Sequence, residues 1–151
     1  MFVPYLRGER CPHADPSLSA AIVGLRSTTT CGDILRSVME GVAFSLKDVL
    51  ATVRDAGINV REVVFSGGGS TSAVWRQIHA DVLDMPVQTV ANSTIAGALG
   101  AAIVAGATAG MWDDVSAVVR RIPVTDRHEP VRGRSDVYKH LFETFRSLHP
   151  V

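Results

Sequence analysis

The run Ser66-Gly67-Gly68-Gly69-Ser70-Thr71-Ser72 is the one stretch whose residue types suggest chemistry. It follows an apolar run, Val63-Val64-Phe65, and precedes an amphipathic one that starts near Val74. Glycines let a backbone turn tightly and approach a ligand closely. Free N–H groups at such a turn, with the positive end of a following helix, suit a phosphate or another anion. In parallel α/β sheets ligands collect at the carboxyl ends of strands, where this turn would sit. The pattern is not a P-loop, because no Gly-Lys-Ser/Thr follows, and not G-x-G-x-x-G, because Ser72 stands at the last glycine position. Nor does it contain the G-x-S-x-G of a nucleophile elbow. The plain alternative is a tight strand-to-helix turn with no ligand, and local chemistry leaves both readings open.

Other candidates carry less. His79 and Asp81 are two apart on the expected helix and do not share a face, so a solvated surface is expected for both. Glu9-Arg10 in the loop could be functional, with an exposed ion pair as the plain alternative. Trp75 reads as core. No pair of carboxylates is spaced for general acid–base work, and Cys11 and Cys31 have no metal-ligand spacing, so neither a catalytic residue nor a metal ligand is assigned.

The elements that would position the turn follow from periodicity and punctuation. Phe2 to Leu6 could form a strand, and Gly8 to Leu18 a loop. Thr30, with Asp33 three residues on, caps a helix whose Ile34, Leu35, Val38, Val42, Leu46, Val49 and Val53 share a face, and Gly57 ends it. Val63-Val64-Phe65 is a buried strand. Ser70 or Ser72 caps a second helix through Leu83, stopped by Met85-Pro86. Val87 to Val90 is a strand, and Asn92 or Ser93 opens a small-residue helix to Ala109 with Gly110 as its stop. A minor helix follows Asp113, Ile122 to Val131 is irregular, and Ser135 or Asp136 caps a last helix with Val137, Leu141, Phe142, Phe145 and Leu148 inward. This alternation predicts an α/β fold of short parallel strands packed with helices. So few strands make only part of a wider sheet, or a unit that pairs with another chain.

Composition sets the outer limits. At 151 residues one domain is expected, able to bury roughly 70% of its unfolded surface. Hydrophobic residues make up 46% and charged residues 20%, with 15 basic against 15 acidic, which argues against disorder and against a nucleic-acid partner. Met85 to Trp112 holds no charged residue, but Pro86, Gln88, Asn92, Ser93 and Thr94 break its start and small residues fill the rest, so no membrane partner is expected. Two isolated cysteines and no basic-then-apolar leader favour a cytoplasmic protein with reduced thiols.

Several spaced motifs together resemble the C-terminal domain of the FGGY family of carbohydrate kinases, most of all its xylulokinase members. Pro4-Tyr-Leu-Arg-Gly-Glu-Arg-Cys-Pro12 is similar to the family's Pro-Tyr-Leu-x-Gly-Glu-Arg-Thr-Pro. Ala20-Ala-Ile-Val-Gly-Leu25, Asp33-Ile34, Ser37-Val-Met-Glu40 and Glu40-Gly-Val-Ala-Phe44 follow in the family's order. Phe65-Ser-Gly-Gly-Gly-Ser70, Trp75-Arg-Gln-Ile78, Ala80-Asp-Val-Leu83 and Ala98-Leu-Gly-Ala-Ala102 complete the pattern. Cys11 stands for the usual Thr, Ser17-Leu-Ser19 for a common Arg-Gly pair, and Thr94-Ile-Ala96 lacks the family's acidic residue.

The resemblance implies residues 1–151 form the nucleotide-side, actin-like and ribonuclease-H-like domain of a two-domain kinase, without its N-terminal sugar-binding domain. ATP with Mg2+ and the sugar would meet in the cleft between the domains. By motif position Gly67, Gly68 and Gly69 form the nucleotide turn, Gly68 and Gly69 facing ribose and phosphates. Ser70, Ala73 and Gln77 would lie near the adenosine. The family's catalytic Asp precedes the Pro-Tyr-Leu segment, and Mg2+ would be held mainly by the nucleotide and the other domain. Two functions are therefore expected as rivals. One is the ATP-binding part of a ketose kinase, inactive alone and paired with its N-terminal domain. The other is a non-catalytic module that self-associates, as a homodimer for instance, and binds nucleotide weakly or not at all.

Overall fold

The computed structural model describes residues 1–148. Strand β1 (Phe2–Val3) pairs antiparallel with β2 (Ala21–Ile22), and the loop between them folds back on itself. Only the first two residues of the expected Phe2–Leu6 strand are extended in a ladder. Helix α1 (Cys31–Asp55) starts at the expected cap: Thr30 accepts the Asp33 N–H, and the Asp33 carboxylate reaches back to the Thr30 N–H at 2.9 Å. Gly57, at φ +83, closes its far end with an N–H bond to the Arg54 carbonyl.

Strand β3 (Val63–Val64) and strand β4 (Val87–Val90) run parallel, joined through helix α2 (Ala73–Leu83). Ser72, rather than Ser70, caps α2 by accepting the Trp75 N–H. Neither Asn92 nor Ser93 caps helix α3 (Ala96–Thr108) through its side chain; a short 3-10 turn, Ser93–Ile95, intervenes. Helix α4 (Val115–Arg120) follows with Asp114 as its cap.

The segment Ile122 to Val131 is not irregular. Its centre forms strand β5 (Val124–His128), antiparallel to β4, with Val87 opposite His128 and a bulge beside Val90. The sheet order is β3-β4-β5. Val-Thr-Asp-Arg-His reads as loop because four of these five residues are exposed on an edge strand, where charges are favoured. Helix α5 (Arg132–Ser147) begins ahead of the expected Ser135 or Asp136 cap; its N-cap is Val131, and Ser135 is buried inside the helix. Val137 faces outward, 57% exposed, while Phe145 stays in the core and Leu141, Phe142 and Leu148 pack on it.

Two apolar clusters result. Val3, Tyr5, Leu18, Ala43, Phe44, Ile78, Val82, Tyr138 and Phe145 join β1, α1, α2 and α5. Leu50, Ala80, Leu83, Met85 and Val87 seat α2 on the sheet. The fully buried side of α1 therefore runs through Gly41, Phe44 and Asp48. The expected stripe forms a second flank: Leu35 is exposed, and Leu46, Val49 and Val53 line an open apolar cleft of about 220 Å³ with Val60, Val63 and Phe65. Among the described residues no helix is long and apolar enough to cross a membrane.

Candidate functional site

Two parallel strands end side by side, and both continue into short 3-10 turns. After β3 the chain enters Gly67 and the turn Gly68–Thr71; after β4 it enters Asn92 and the turn Ser93–Ile95. Gly67 sits at φ +84 with ψ near 180°, a conformation effectively reserved for glycine. Its N–H donates to the Ser93 carbonyl at 2.8 Å, which ties the two turns together. Ser70 is buried: its hydroxyl donates to the Gly67 carbonyl at 2.7 Å and pairs with the Ser93 hydroxyl at 3.0 Å.

The Ser70 N–H donates to the Gly67 carbonyl at 3.1 Å and the Ser72 N–H to the Gly69 carbonyl at 3.2 Å. The N–H groups of Gly68 and Gly69 find no acceptor among the described residues. A Cβ at Gly68 would meet nothing within 4 Å, so the turn is open there. At Gly69 a Cβ would run into the Trp75 ring, which packs beneath the turn. Trp75 is fixed by its indole N–H to the Met39 carbonyl at 3.2 Å, as its core reading predicts.

Ala73 is exposed at the start of α2, and Gln77 follows one turn later on the same face. The Gln77 amide is fully used inside the protein: Nε2 donates to Asp81 and to the Glu129 carbonyl, both at 2.9 Å, and Oε1 accepts from His128 Nδ1 at 3.0 Å. The structure thus gathers Gly67, Gly68, Gly69 and Ser70 in one turn, puts Ala73 at its edge, and sets Gln77 towards β5.

Sequence reasoning missed Arg76 and Ser93 as supports of the turn. The Arg76 guanidinium donates to the Ser70 carbonyl, to His128 Nε2 at 3.2 Å and to Asp126 at 2.7 Å. The Asp126 carboxyl is held below its usual range, first by the Arg127 N–H and then by Arg76. Position after a strand and before a helix is the only signal that points to Ser93; nothing local points to Arg76.

His79 and Asp81 are not on a solvated face. Each is only 2% exposed, because α2 packs between α1, α5 and the sheet. Asp81 accepts the Val131 N–H at 2.8 Å and faces Arg134 at 3.5 Å. His79 Nδ1 donates to the Trp75 carbonyl at 2.8 Å, its ring lies 4.5 Å from that of Phe65, and burial pushes its pKa down. The unfolded imidazole titrates near 6.5, so below that pH the unfolded chain takes up a proton that the folded chain refuses. Stability should be intact above pH 6.5 and fall as pH drops towards the lower folded value. Urea titrations at pH 7.5 and 5.5 read this, and His79→Phe should flatten the difference; an unchanged difference in that variant would remove His79 as the cause.

A family model described as "FGGY family of carbohydrate kinases, C-terminal domain" matches residues 1–109. This chain belongs to the FGGY family of carbohydrate kinases. The FGGY match is supported by the xylulose kinase of Escherichia coli (strain K12), 33% identical over 148 residues, or 98% of this chain and 31% of that protein. The ligand-bound xylulose kinase structure from Lactobacillus acidophilus superposes with a TM-score of 0.86 at 26% identity, covering 98% of this chain and 30% of the other. The xylulose kinase from Rhodospirillum rubrum superposes with a TM-score of 0.77 at 30% identity, covering 99% and 30%. The FGGY chain described here spans less than a third of the length of these relatives, and its mixed sheet with flanking helices is that of sugar kinases with the actin-like ATPase fold.

Proposed function

We propose that this chain is the nucleotide-holding side of a sugar kinase that moves a phosphoryl group from Mg-ATP to a ketose such as xylulose. The observation that carries the reading is the pair of uncommitted amides at Gly68 and Gly69, at the carboxyl ends of two parallel strands. The turn fits a triphosphate: the open side of Gly68 leaves room, and the N-terminus of α2 adds a positive end close by. Ser70, Ser93 and Arg76 hold the turn, and Ala73 marks the side on which the adenosine would lie. Bound ATP supplies the transferable phosphoryl group. Among the described residues no three His, Cys, Asp or Glu side chains gather to hold a metal ion, so in this proposal Mg2+ arrives on the phosphates. The sugar and the carboxylate that takes its proton belong to the part of such kinases that this chain does not span, so the chain alone should bind nucleotide without turning over. Calorimetric titration with Mg-ATP tests the reading: saturable binding at one site supports it, and no binding favours the non-catalytic module.

A separate observation favours pairing. The cleft beside Leu46, Val49 and Val53 is apolar, and Val64 on the free edge of β3 is exposed. Such an edge and face invite a second polypeptide. Sedimentation velocity should show mass rising with concentration for the isolated chain; a sharp monomer at high concentration would count against it.

A further inference from the structure

The Gly8 to Leu18 loop is more tightly built than a connector between two short strands requires. Glu9 N–H donates to the Asp15 carbonyl at 2.9 Å and the two residues form a bridge. Gly8, at φ +73, lies so close to Pro16 that a Cβ would sit 2.6 Å from the Pro16 Cα. Glu9 accepts the N–H groups of Cys11 and His13, both at 2.8 Å, so it is a loop brace rather than the expected ion-pair partner of Arg10. Asp15 accepts both the N–H and the hydroxyl of Ser17. His13 meets the buried Asp48 of α1 at 3.1 Å, with Arg146 of α5 on the other carboxylate oxygen at 3.4 Å. Rigid surface loops that close on themselves are frequently functional.

Arg7 and Arg10 are the exception to this internal bonding. Both are exposed, and neither has a hydrogen bond or ion pair among the described residues. Both line one pocket of about 340 Å³, with Gly8, Glu9, Ala14 and Pro16. The lining carries two guanidinium groups against one carboxylate, and that carboxylate is already turned onto backbone donors. Guanidinium forks match the oxygens of phosphate, and the volume is that of a small-molecule site rather than a bare ion. We propose that Arg7 and Arg10 form an anion site for a phosphorylated small molecule, on a different loop from the glycine turn and independent of the nucleotide reading.

The test is amide NMR titration of the 151-residue chain with inorganic phosphate, with ribose 5-phosphate, and with ribose as a neutral control. Saturable shifts at residues 6–18, seen with the two phosphates and not with ribose, are expected, separate from any shifts at the glycine turn, residues 66–72. Arg7→Gln and Arg10→Gln should each weaken binding at residues 6–18 about tenfold or more, whereas Arg132→Gln should not. Shifts spread evenly over Arg26, Arg54, Arg61, Arg121 and Arg132, or binding unchanged in the Arg7 and Arg10 variants, would overturn the assignment. Phosphate binding lost in Gly68→Val alone would do the same.

Discussion

Gly68→Val should abolish Mg-ATP binding while the protein unfolds near the wild-type temperature. The residue is outside the left-handed region, and a Cβ there meets nothing within 4 Å, so a side chain leaves the backbone into open space. It would fill the space in front of the two amides that have no internal acceptor. Losing two hydrogen bonds to a charged phosphate, at about 1.5–3 kcal/mol each, weakens binding by about a hundredfold or more. Gly69→Val is a poorer variant, because its Cβ collides with the Trp75 ring and disturbs α2 whether or not a ligand binds. Calorimetry and thermal melts on the Gly68 variant separate site from fold. Wild-type affinity in that variant would remove the glycine turn as the nucleotide site.

Local signals carried much of the fold. Thr30 with Asp33, Ser72, Gly57 and Gly110 each do what their residue type does best at a helix end or turn, and those boundaries could be read from sequence. Contacts made far along the chain could not. His79 and Asp81 look polar and therefore solvated, yet Asp81 accepts the Val131 N–H, 50 positions away. Arg76 reaches Asp126 across a similar separation, and β5 itself is hidden by its exposed, charged edge. The site divides in the same way. The shape of the glycine turn could be read from residue type, and Ala73 is placed only by the family resemblance, whereas the supports from Ser93 and Arg76 depend on tertiary pairing.

Phe44→Ala is expected to cost about 3–5 kcal/mol, a large part of the roughly 5–15 kcal/mol that holds a domain of this kind. Phe44 is 1% exposed, and its ring lies 5.4 Å from Phe145, 6.0 Å from Tyr138 and 6.1 Å from Phe142. Removing it opens a cavity between α1 and α5 that neither rigid helix can collapse to fill. Leu46, two residues on, belongs to the stripe that periodicity alone would place in the core, yet it is 42% exposed beside the open cleft. Leu46→Ala should cost under about 1 kcal/mol in dilute monomer, since little apolar surface is lost from contact. Denaturant titrations of the two variants decide which flank of α1 is the core. Equal losses would mean that something covers the cleft in solution, and a Leu46 cost that grows with protein concentration would identify that cover as a second copy of the chain.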